Sequence, residues 1–343
     1  MKQRDYKIDI VRIIACLMVI LMHSPMPNIG LSGIIAVGNT MITMPCIGLF
    51  FIVSGYLLLP VKTSMKNFLI KRFGKVVWPT LVFSLFYIIV NTICDGGNIR
   101  SILKQIASIP FGAQGNGALW FMYTLIGLYL IVPIISPFIE KATRKELEFI
   151  IGLWVITLLW PYLMIVLSVN TGIDSILHSF SGYAGYFIFG GYLKKYPIRI
   201  NTFAALLLIG MPFVLYIWFK KIGIELGFDD GFSYLSLPIV LMTISVFMLL
   251  LKYVRTDKLS LTVRNVISDF SNCSFGIYLL HIFVMRRIIW NMDIIRFTPP
   301  ICTIILIFIL TTLITWAISH MISRTLIGNF IIGYNRKNII YDT

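Results

Sequence analysis

Residues 301–322 read ICTIILIFILTTLITWAISHMI, a run of 22 residues without Asp, Glu, Lys or Arg. An α-helix rises about 1.5 Å per residue, so a run of this length crosses the roughly 30 Å hydrocarbon core of a bilayer. Similar runs recur along the 343-residue chain, in which 58% of residues are hydrophobic and 13% are charged. The composition therefore predicts an all-α, polytopic membrane helical bundle.

We predict ten membrane spans that form a single domain over residues 1–343. The sixth span is short and contains Gly185, Gly190 and Gly191, which predicts that it is broken, tilted or packed inside the bundle. In chain order the predicted spans are 8–25, 41–59, 76–94, 119–138, 149–169, 183–193, 203–219, 234–251, 270–289 and 301–322.

The net charge of +15 comes from basic residues in short connectors between the apolar runs. Counted over alternate connectors, 22 of the 29 Lys and Arg residues fall on the side of the N-terminus. Cytoplasmic connectors carry this excess, so the count predicts cytoplasmic termini and excludes a nucleic-acid partner as the reason for the charge. Residues 10–22 lead into Pro25 without a small-residue cleavage site, so we expect this segment to remain in the mature protein.

Two further features concern connectors and cysteines. The five cysteines are scattered without a CxxC pair, so we expect neither a metal site nor a disulfide framework. In the connector 95–118, Ile99, Ile102, Leu103 and Ile106 follow a helical spacing that predicts an amphipathic helix on the outer interface. The glycine-rich run 112–117 after it is open to two interpretations, a lip over a cavity or an ordinary flexible loop.

Two histidines fall deep inside predicted spans. His23 follows Arg12 by eleven residues, roughly 16 Å of helix, and His281 follows Asp269 by twelve residues, roughly 18 Å. Both spans run outward, so the two imidazoles are predicted to arrive at similar depth near the middle of the membrane. Either histidine alone is as well explained by a hydrogen bond to a neighbouring helix. Two at matching depth favour proton transfer, for which imidazole is suited.

The carboxylates and the remaining histidines bear on the same question. We expect no Asp or Glu inside any span, which argues against a cation-coupled carrier because such carriers usually bind their ion through a buried carboxylate. His178 lies in an outer connector and His320 near the inner end of the last span, and we interpret both as structural.

A predicted anion site follows the second span. Arg72 and Lys75 share one face of a helix at the cytoplasmic boundary, and together with Arg12 they are placed to bind phosphates. Positive-inside anchoring to lipid headgroups is the alternative, which we prefer for Lys62, Lys66 and Lys71. Ser54 and Gly55 in the second span provide either close helix packing or a slot for a slender chain.

Six short segments, in this order along essentially the whole chain, resemble acyltransferase family 3, the integral membrane O-acyltransferases of cell-surface glycans. The arginine and histidine of the first span, separated by ten residues, are the most specific part of the pattern. The segments are Asp9, Arg12, Ala15 and His23; FFIVSGY at 50–56; Phe68, Arg72, Lys75 and Pro79; LWF at 119–121; FGGYL at 189–193; and SFGIYLLH at 274–281.

The resemblance implies transfer of an acyl group, usually acetyl from acetyl-CoA, to a hydroxyl of a cell-surface polysaccharide, peptidoglycan, a lipid-linked sugar or an antibiotic. Lys75 stands where many members have arginine, which weakens the phosphate-binding argument at that position. We expect no extracytoplasmic SGNH domain after the last span, so the acceptor is served by the membrane domain or by a separate partner.

On this interpretation each candidate residue has a role. His23 is the general base, and Tyr278 or His281 stabilises the oxyanion, although a route through an acyl-histidine or an acylated Ser54 stays open. Arg12, Arg72 and Lys75 hold the CoA phosphates beside Ser54 and Gly55. Trp120 and Tyr123 are predicted to contact the acceptor, and no metal is expected.

The alternative function is a transporter or flippase for a sugar or an amino acid, which would have no reason to consume a thioester. The expected partners are acyl-CoA, a saccharide or lipid-linked glycan acceptor and membrane lipid, with a homo-oligomer left open. We expect a multi-pass location in a cell membrane, specifically the bacterial cytoplasmic membrane.

Overall fold

A computed structural model describes residues 4–26, 33–160, 162–163, 180–224, 228, 231–296 and 298–334. Every regular element in this part of the chain is a helix. His178 lies outside the described residues. The α-helices are α1 Tyr6–His23, α2 Gly33–Thr43, α3 Pro45–Leu58, α4 Met65–Arg72, α5 Trp78–Asp95, α6 Ile99–Ser108, α7 Trp120–Lys141, α8 Arg144–Thr157, α9 Ala184–Lys195, α10 Thr202–Lys221, α11 Leu237–Tyr253, α12 Leu261–Phe283, α13 Asp293–Arg296, α14 Pro300–Ser323 and α15 Gly328–Ile332.

Six continuous helical segments are long and apolar enough to cross a membrane, by length and composition, within the described residues. They agree with the predicted spans 41–59, 76–94, 119–138, 203–219, 270–289 and 301–322. These segments make the chain a multi-pass membrane protein. Their bounds are Ile35–Leu58, Met65–Asp95, Gly117–Lys141, Thr202–Lys221, Leu261–Asn291 and Pro300–Ser323.

The other four predicted spans are mostly helical where they are described, but none meets the combined criteria of length, hydropathy and low charge. α1 has three charged residues, Lys7, Asp9 and Arg12, among its 18. α8 has 14 residues, α9 has 12 and α11 has 17. The predicted count of ten is therefore not confirmed, and the orientation of the termini stays a prediction.

The centre of the bundle is formed by helices that are buried rather than lipid-facing. α3 packs against α9, α1 and α11, and α1 also packs against α12. Of the alternatives for the sixth span, packing inside the bundle is the observed one, because eight of the 12 residues of α9 are buried. Its glycines explain this position: a Cβ on Gly190 would lie 2.1 Å from the carbonyl oxygen of Ile52, and a Cβ on Gly55 would lie 1.8 Å from that of Phe187.

Prolines divide two of the long helical segments. Pro45 is the first residue of α3, and it separates α3 from α2. Pro79 has no N–H for the carbonyl of Lys75, and a π-helical turn at Phe73–Val77 joins α4 to α5. The backbone of Gly333, with φ of +66°, approaches this carbonyl so closely that a Cβ would lie 2.3 Å from its oxygen. The segment after α15 is thereby placed against the start of α5.

The predicted amphipathic helix is present as α6, with the Asn98 side chain accepting a hydrogen bond from the Ser101 N–H at its start. Ile99 and Leu103 are 75% and 61% exposed on its surface. An apolar face without protein neighbours is typical of a helix that lies on a membrane interface.

Candidate active site

His23 and His281 meet in the structure. His23 is the last residue of α1, and His281 lies near the end of α12, the helix packed against α1. The centroids of the two imidazole rings are 5.3 Å apart, with 37° between the ring planes. His281 is fully buried, and His23 is half-buried. Parallel helices, with His23 eleven residues after Arg12 and His281 twelve residues after Asp269, therefore bring the two rings together.

The hydrogen bonds of His281 identify its tautomer. Its Nδ1 contacts the backbone carbonyl of Tyr278, and because a carbonyl only accepts, Nδ1 carries the hydrogen. In a neutral ring Nε2 then has a lone pair and no hydrogen. This buried Nε2 has no hydrogen-bond partner among the described residues. His281 in this state is an acceptor, so it has no N–H for the oxyanion role that the sequence suggested.

Tyr278 is also occupied by the fold. Its ring centroid lies 5.4 Å from that of His281, but its hydroxyl donates to the carbonyl oxygen of Ala118, just before α7. A phenol has one hydrogen to give. In this arrangement the Tyr278 ring lines the site, but its hydroxyl hydrogen is already used and is not available to an oxyanion.

The predicted anion-binding residues surround one cavity of about 290 Å³, which we call cavity I. Arg12, Arg72, Lys75 and Ser54 all line it, although they come from α1, α3, α4 and the π-helical turn. Lys75 is exposed, whereas both arginines are half-buried. Other lining residues are Phe50, Val76, Phe121, Met122, Leu125, Tyr129, Ser271, Asn272, Ser274, Phe275, Tyr278, Ile332, Gly333 and Tyr334.

A polar network holds Arg12 at the wall of cavity I. Its Nη1 donates to the Ser271 hydroxyl at 3.3 Å, and that hydroxyl donates to Asp9 at 2.7 Å. Asp9 is 6% exposed and also pairs with Arg4. The expectation that no carboxylate lies inside a span is therefore wrong. Asp9 sits in the first turn of α1, and its arginine partners neutralise the charge that burial makes costly.

Arg72 is presented differently. Its guanidinium lies 5.7 Å from the ring centroid of Phe68 and 5.8 Å from that of Tyr129, a cation-π arrangement on two sides. The buried Nε of Arg72 has no hydrogen-bond partner among the described residues. A guanidinium held by aromatic faces with an unused donor is suited to bind a phosphate oxygen.

A second cavity of about 430 Å³, cavity II, lies at the other end of α12. Its polar lining includes Asn91 and Asp95 of α5, Asn116 of the glycine-rich run, and Arg286 and Arg287. Gly115 carries φ of +73°, and a Cβ there would lie 2.8 Å from the Ile88 backbone nitrogen. The run 112–117 therefore folds against α5 and borders the cavity, which agrees with the lip alternative. The remaining lining residues are Tyr87, Gly115, Gly117, Ile282, Phe283 and Trp290.

One continuous helical segment lines both cavities. Between Ser271 and Tyr278 its side chains face cavity I, and between Ile282 and Trp290 they face cavity II. His281 lies at the boundary between these two stretches. Neither His23 nor His281 lines cavity I or cavity II.

Three predicted site residues lie elsewhere. Gly55 does not line cavity I, because its α-carbon packs on the carbonyl of Phe187, so the packing alternative accounts for it. The Tyr123 hydroxyl donates to the carbonyl of Ile109 at 2.8 Å. Trp120 packs between Tyr183 and Tyr234, with ring centroids 5.4 and 5.9 Å away. Neither Trp120 nor Tyr123 lines cavity I or cavity II.

His320 agrees with its structural interpretation. Its Nδ1 lies 2.8 Å from Asp269, which also accepts a hydrogen bond from the Trp316 indole. This pair joins α14 to α12 away from the imidazole pair.

Several site residues were missed from the sequence. Ser271, Asn272 and Tyr129 line cavity I but carry no spacing signal in isolation. Asp9 was part of the quoted pattern, and its position one turn before Arg12 was the available signal for an ion pair. Arg286 is one of the seven Lys and Arg residues that the connector count assigns to the outer side, and that count predicts no further role for it.

The helical bundle, the paired imidazoles and the cation-lined cavity define a multi-pass membrane protein with a polar site inside the bundle. Residues 5–320 of the 343 match the model of the acyltransferase domain of acyltransferase family 3. The chain belongs to this family, and it is a membrane acyltransferase. No curated protein and no solved structure matches it significantly.

Proposed function

We propose that the protein moves an acyl group, most simply acetyl, from cytosolic acyl-CoA to a hydroxyl of a saccharide or lipid-linked glycan on the other side of the membrane. The observation that carries this proposal is the course of α12 and its extension, which lines cavity I, passes the imidazole pair and then lines cavity II. If acyl-CoA binds in cavity I and the acceptor saccharide binds in cavity II, with the imidazole pair between them, the two substrates can come from opposite sides of the membrane.

Cavity I fits the phosphates of CoA by the chemistry of its donors. Arg72 has an unused N–H, Arg12 is oriented by Ser271 and Asp9, and Lys75 lies exposed among the lining residues. The positive-inside prediction places this cavity on the cytosolic side, where CoA is found. Ser54, Phe121 and Tyr278 also line cavity I, and the centroid of the Tyr278 ring lies 5.4 Å from that of the His281 ring. We therefore expect the acyl end of the donor to lie along these side chains, towards the histidines.

His23 is the proposed general base, with His281 as the residue that positions it. Nε2 of His281 is a buried acceptor, and the ring centroids of His281 and His23 are 5.3 Å apart. A small rotation of the His23 ring therefore allows its N–H to donate to this Nε2. The other ring nitrogen of His23 then has its lone pair free. A base held by a third group is the general arrangement of activated nucleophiles.

The reaction follows from these positions. His23 accepts the proton of the acceptor hydroxyl while the hydroxyl oxygen attacks the thioester carbonyl carbon. The new C–O bond forms, the C–S bond breaks, and His23 returns the proton to the sulfur of CoA. The products are the acyl ester and the free thiol. Because neither histidine lines cavity I or cavity II, turnover requires that the side chains between the cavities and the imidazoles move.

The test uses proteoliposomes in which the N-terminal side faces the lumen, verified by protection of an N-terminal tag. Acetyl-CoA labelled in its acetyl group is sealed inside, and a mixture of membrane-impermeant neutral and acidic oligosaccharides is supplied outside. We expect labelled ester on the external saccharide and one free thiol inside for each ester formed. Product that requires donor and acceptor on the same side contradicts transfer across the membrane, and an absence of thioester consumption contradicts the donor assignment.

A further inference from the structure

Cavity II has a polar lining in which almost every group is already paired. Arg287 donates to both carboxylate oxygens of Asp95, at 2.9 and 3.1 Å, and to Asn91 Oδ1 at 3.1 Å. The Asn91 amide nitrogen in turn donates to the carbonyl of Gly115 at 2.6 Å. The charge of Arg287 is therefore balanced within the wall, and this network joins α5, the glycine-rich run and the segment after α12.

Arg286 is different from its neighbour. Its guanidinium lies over the Trp290 ring, 5.6 Å from the ring centroid, and among the described residues no carboxylate pairs with it. The Trp290 indole N–H is also without a hydrogen-bond partner in that part of the chain. The lining of cavity II thus carries one net positive charge, that of Arg286, whose guanidinium is held over the Trp290 ring. The N–H groups of this guanidinium and of the Trp290 indole are the donors available to a ligand.

Arg286 follows His281 by five residues on the same continuous helical segment. Ile282, the residue directly after His281, lines cavity II together with Arg286. A ligand anion at Arg286 would therefore lie roughly one and a half helical turns beyond His281 on the same segment, which leaves the rest of a saccharide in reach of the imidazole pair.

From this arrangement we propose that cavity II is the acceptor site and that Arg286 binds an anionic group, a carboxylate or a phosphate, on the acceptor saccharide. This inference rests on the proposed function, because it names the chemical class of the substrate that the enzyme acylates. The planar guanidinium supplies a paired donor to the anion. The Trp290 N–H supplies a further donor to a ring or hydroxyl oxygen.

Binding of three small probes to the purified protein tests the assignment independently of turnover. The probes are methyl glucuronoside, glucose 6-phosphate and methyl glucoside, titrated by calorimetry at pH 7. We expect at least one acidic probe to bind roughly tenfold or more tightly than the neutral one, since hydrogen bonds to charged groups are the stronger ones. Arg286→Gln should bring that ratio close to one. Arg100→Gln, an exposed arginine of α6 outside the cavity, should leave it unchanged.

The outcomes separate this inference from the proposed function. Equal binding of all three probes by the unaltered protein, no binding of any, or an acidic preference that survives Arg286→Gln would overturn the acceptor assignment. Phosphatidylglycerol binding that depends on Arg286, with no saccharide preference, would also overturn it and make the residue a lipid contact. Release of CoA from acetyl-CoA is measured in parallel. If no CoA is released but the acidic probes still bind more tightly in an Arg286-dependent way, the result counts against the transferase proposal. If acyl transfer occurs but the acidic probes bind no more tightly than the neutral one, the result counts against the inference alone.

Discussion

Two helix pairs at the centre of this bundle are built in opposite ways. α3 and α9 meet backbone to backbone, with Gly55 and Gly190 each against a carbonyl of the other helix. α1 and α12 share buried apolar side chains, but polar side chains meet at both ends of their contact, Asp9 with Ser271 at one end and the two imidazoles at the other. The first pair needs only close fit, whereas the second must satisfy each polar group, so groups left unsatisfied there indicate chemistry.

The largest effect expected is on the polar pair. His23→Ala should lower acetyl-CoA turnover by roughly 10²- to 10⁴-fold, the usual contribution of a general base. Its thermal stability in detergent should stay near that of the unaltered protein, because His23 is a half-buried last residue of α1. The control is His320→Asn, which changes a histidine that is paired with Asp269 and lies away from the imidazole pair, and it should retain turnover. Near-normal turnover in His23→Ala would remove it as the base.

The glycine pair should show the reverse behaviour. Gly190→Ala places a methyl group 2.1 Å from the Ile52 carbonyl oxygen, and backbone cannot yield cheaply. Overpacking typically lowers the free energy of unfolding by about 1–3 kcal/mol, and we expect Gly190→Ala to lower it by about 3 kcal/mol or more. Gly152→Ala in α8, where a Cβ meets nothing within 4 Å, is the matched control and should be neutral or slightly stabilising. Equal melting temperatures for the two variants would show that the α3–α9 contact is not tight.

Cavity I gives a smaller, binding-only effect. Arg72→Ala should weaken CoA affinity by roughly 10- to 100-fold, since hydrogen bonds to charged groups contribute about 1.5–3 kcal/mol each. Lys71→Ala, an exposed neighbour outside the cavity, is the control and should bind normally. Arg12→Lys should bind CoA better than Arg12→Ala but less well than arginine, because lysine lacks the planar fork. Unchanged calorimetric affinity in Arg12→Ala and Arg72→Ala would exclude both from the CoA site.

The smallest effect concerns the α12–α14 contact. His320→Phe removes one donor to Asp269 while the Trp316 indole keeps its hydrogen bond. We expect the free energy of unfolding to fall by about 1 kcal/mol, with turnover retained. His320→Asn keeps an N–H donor and should restore part of the loss. A large fall in turnover with stability intact would place His320 in the chemistry.

The sequence was sufficient for the helices whose hydrophobicity is a local property. Residues 301–322 and five other runs are long and apolar enough to cross a bilayer, and the last residues of these runs agree with the structure within three residues. The first residues agree less well, because two of the helical segments begin 11 and 9 residues before the predicted spans, at Met65 and Leu261. It was insufficient for α1, where three charged residues and His23 share one helix, and for α9, whose glycines gave three alternatives. Burial inside a bundle depends on neighbours that a single segment does not reveal.

For the site, regular helix rise was enough to bring His23 and His281 to the same level, because both are counted along straight parallel helices. The same reasoning grouped Arg72 with Lys75. It did not separate Ser54 from Gly55, since adjacent residues of a helix point in different directions and only the position of α9 decides which one faces the cavity. Nor did it show that Asp95 pairs with Arg287 and not with Arg286, because residues about 190 positions apart become partners only when the bundle closes.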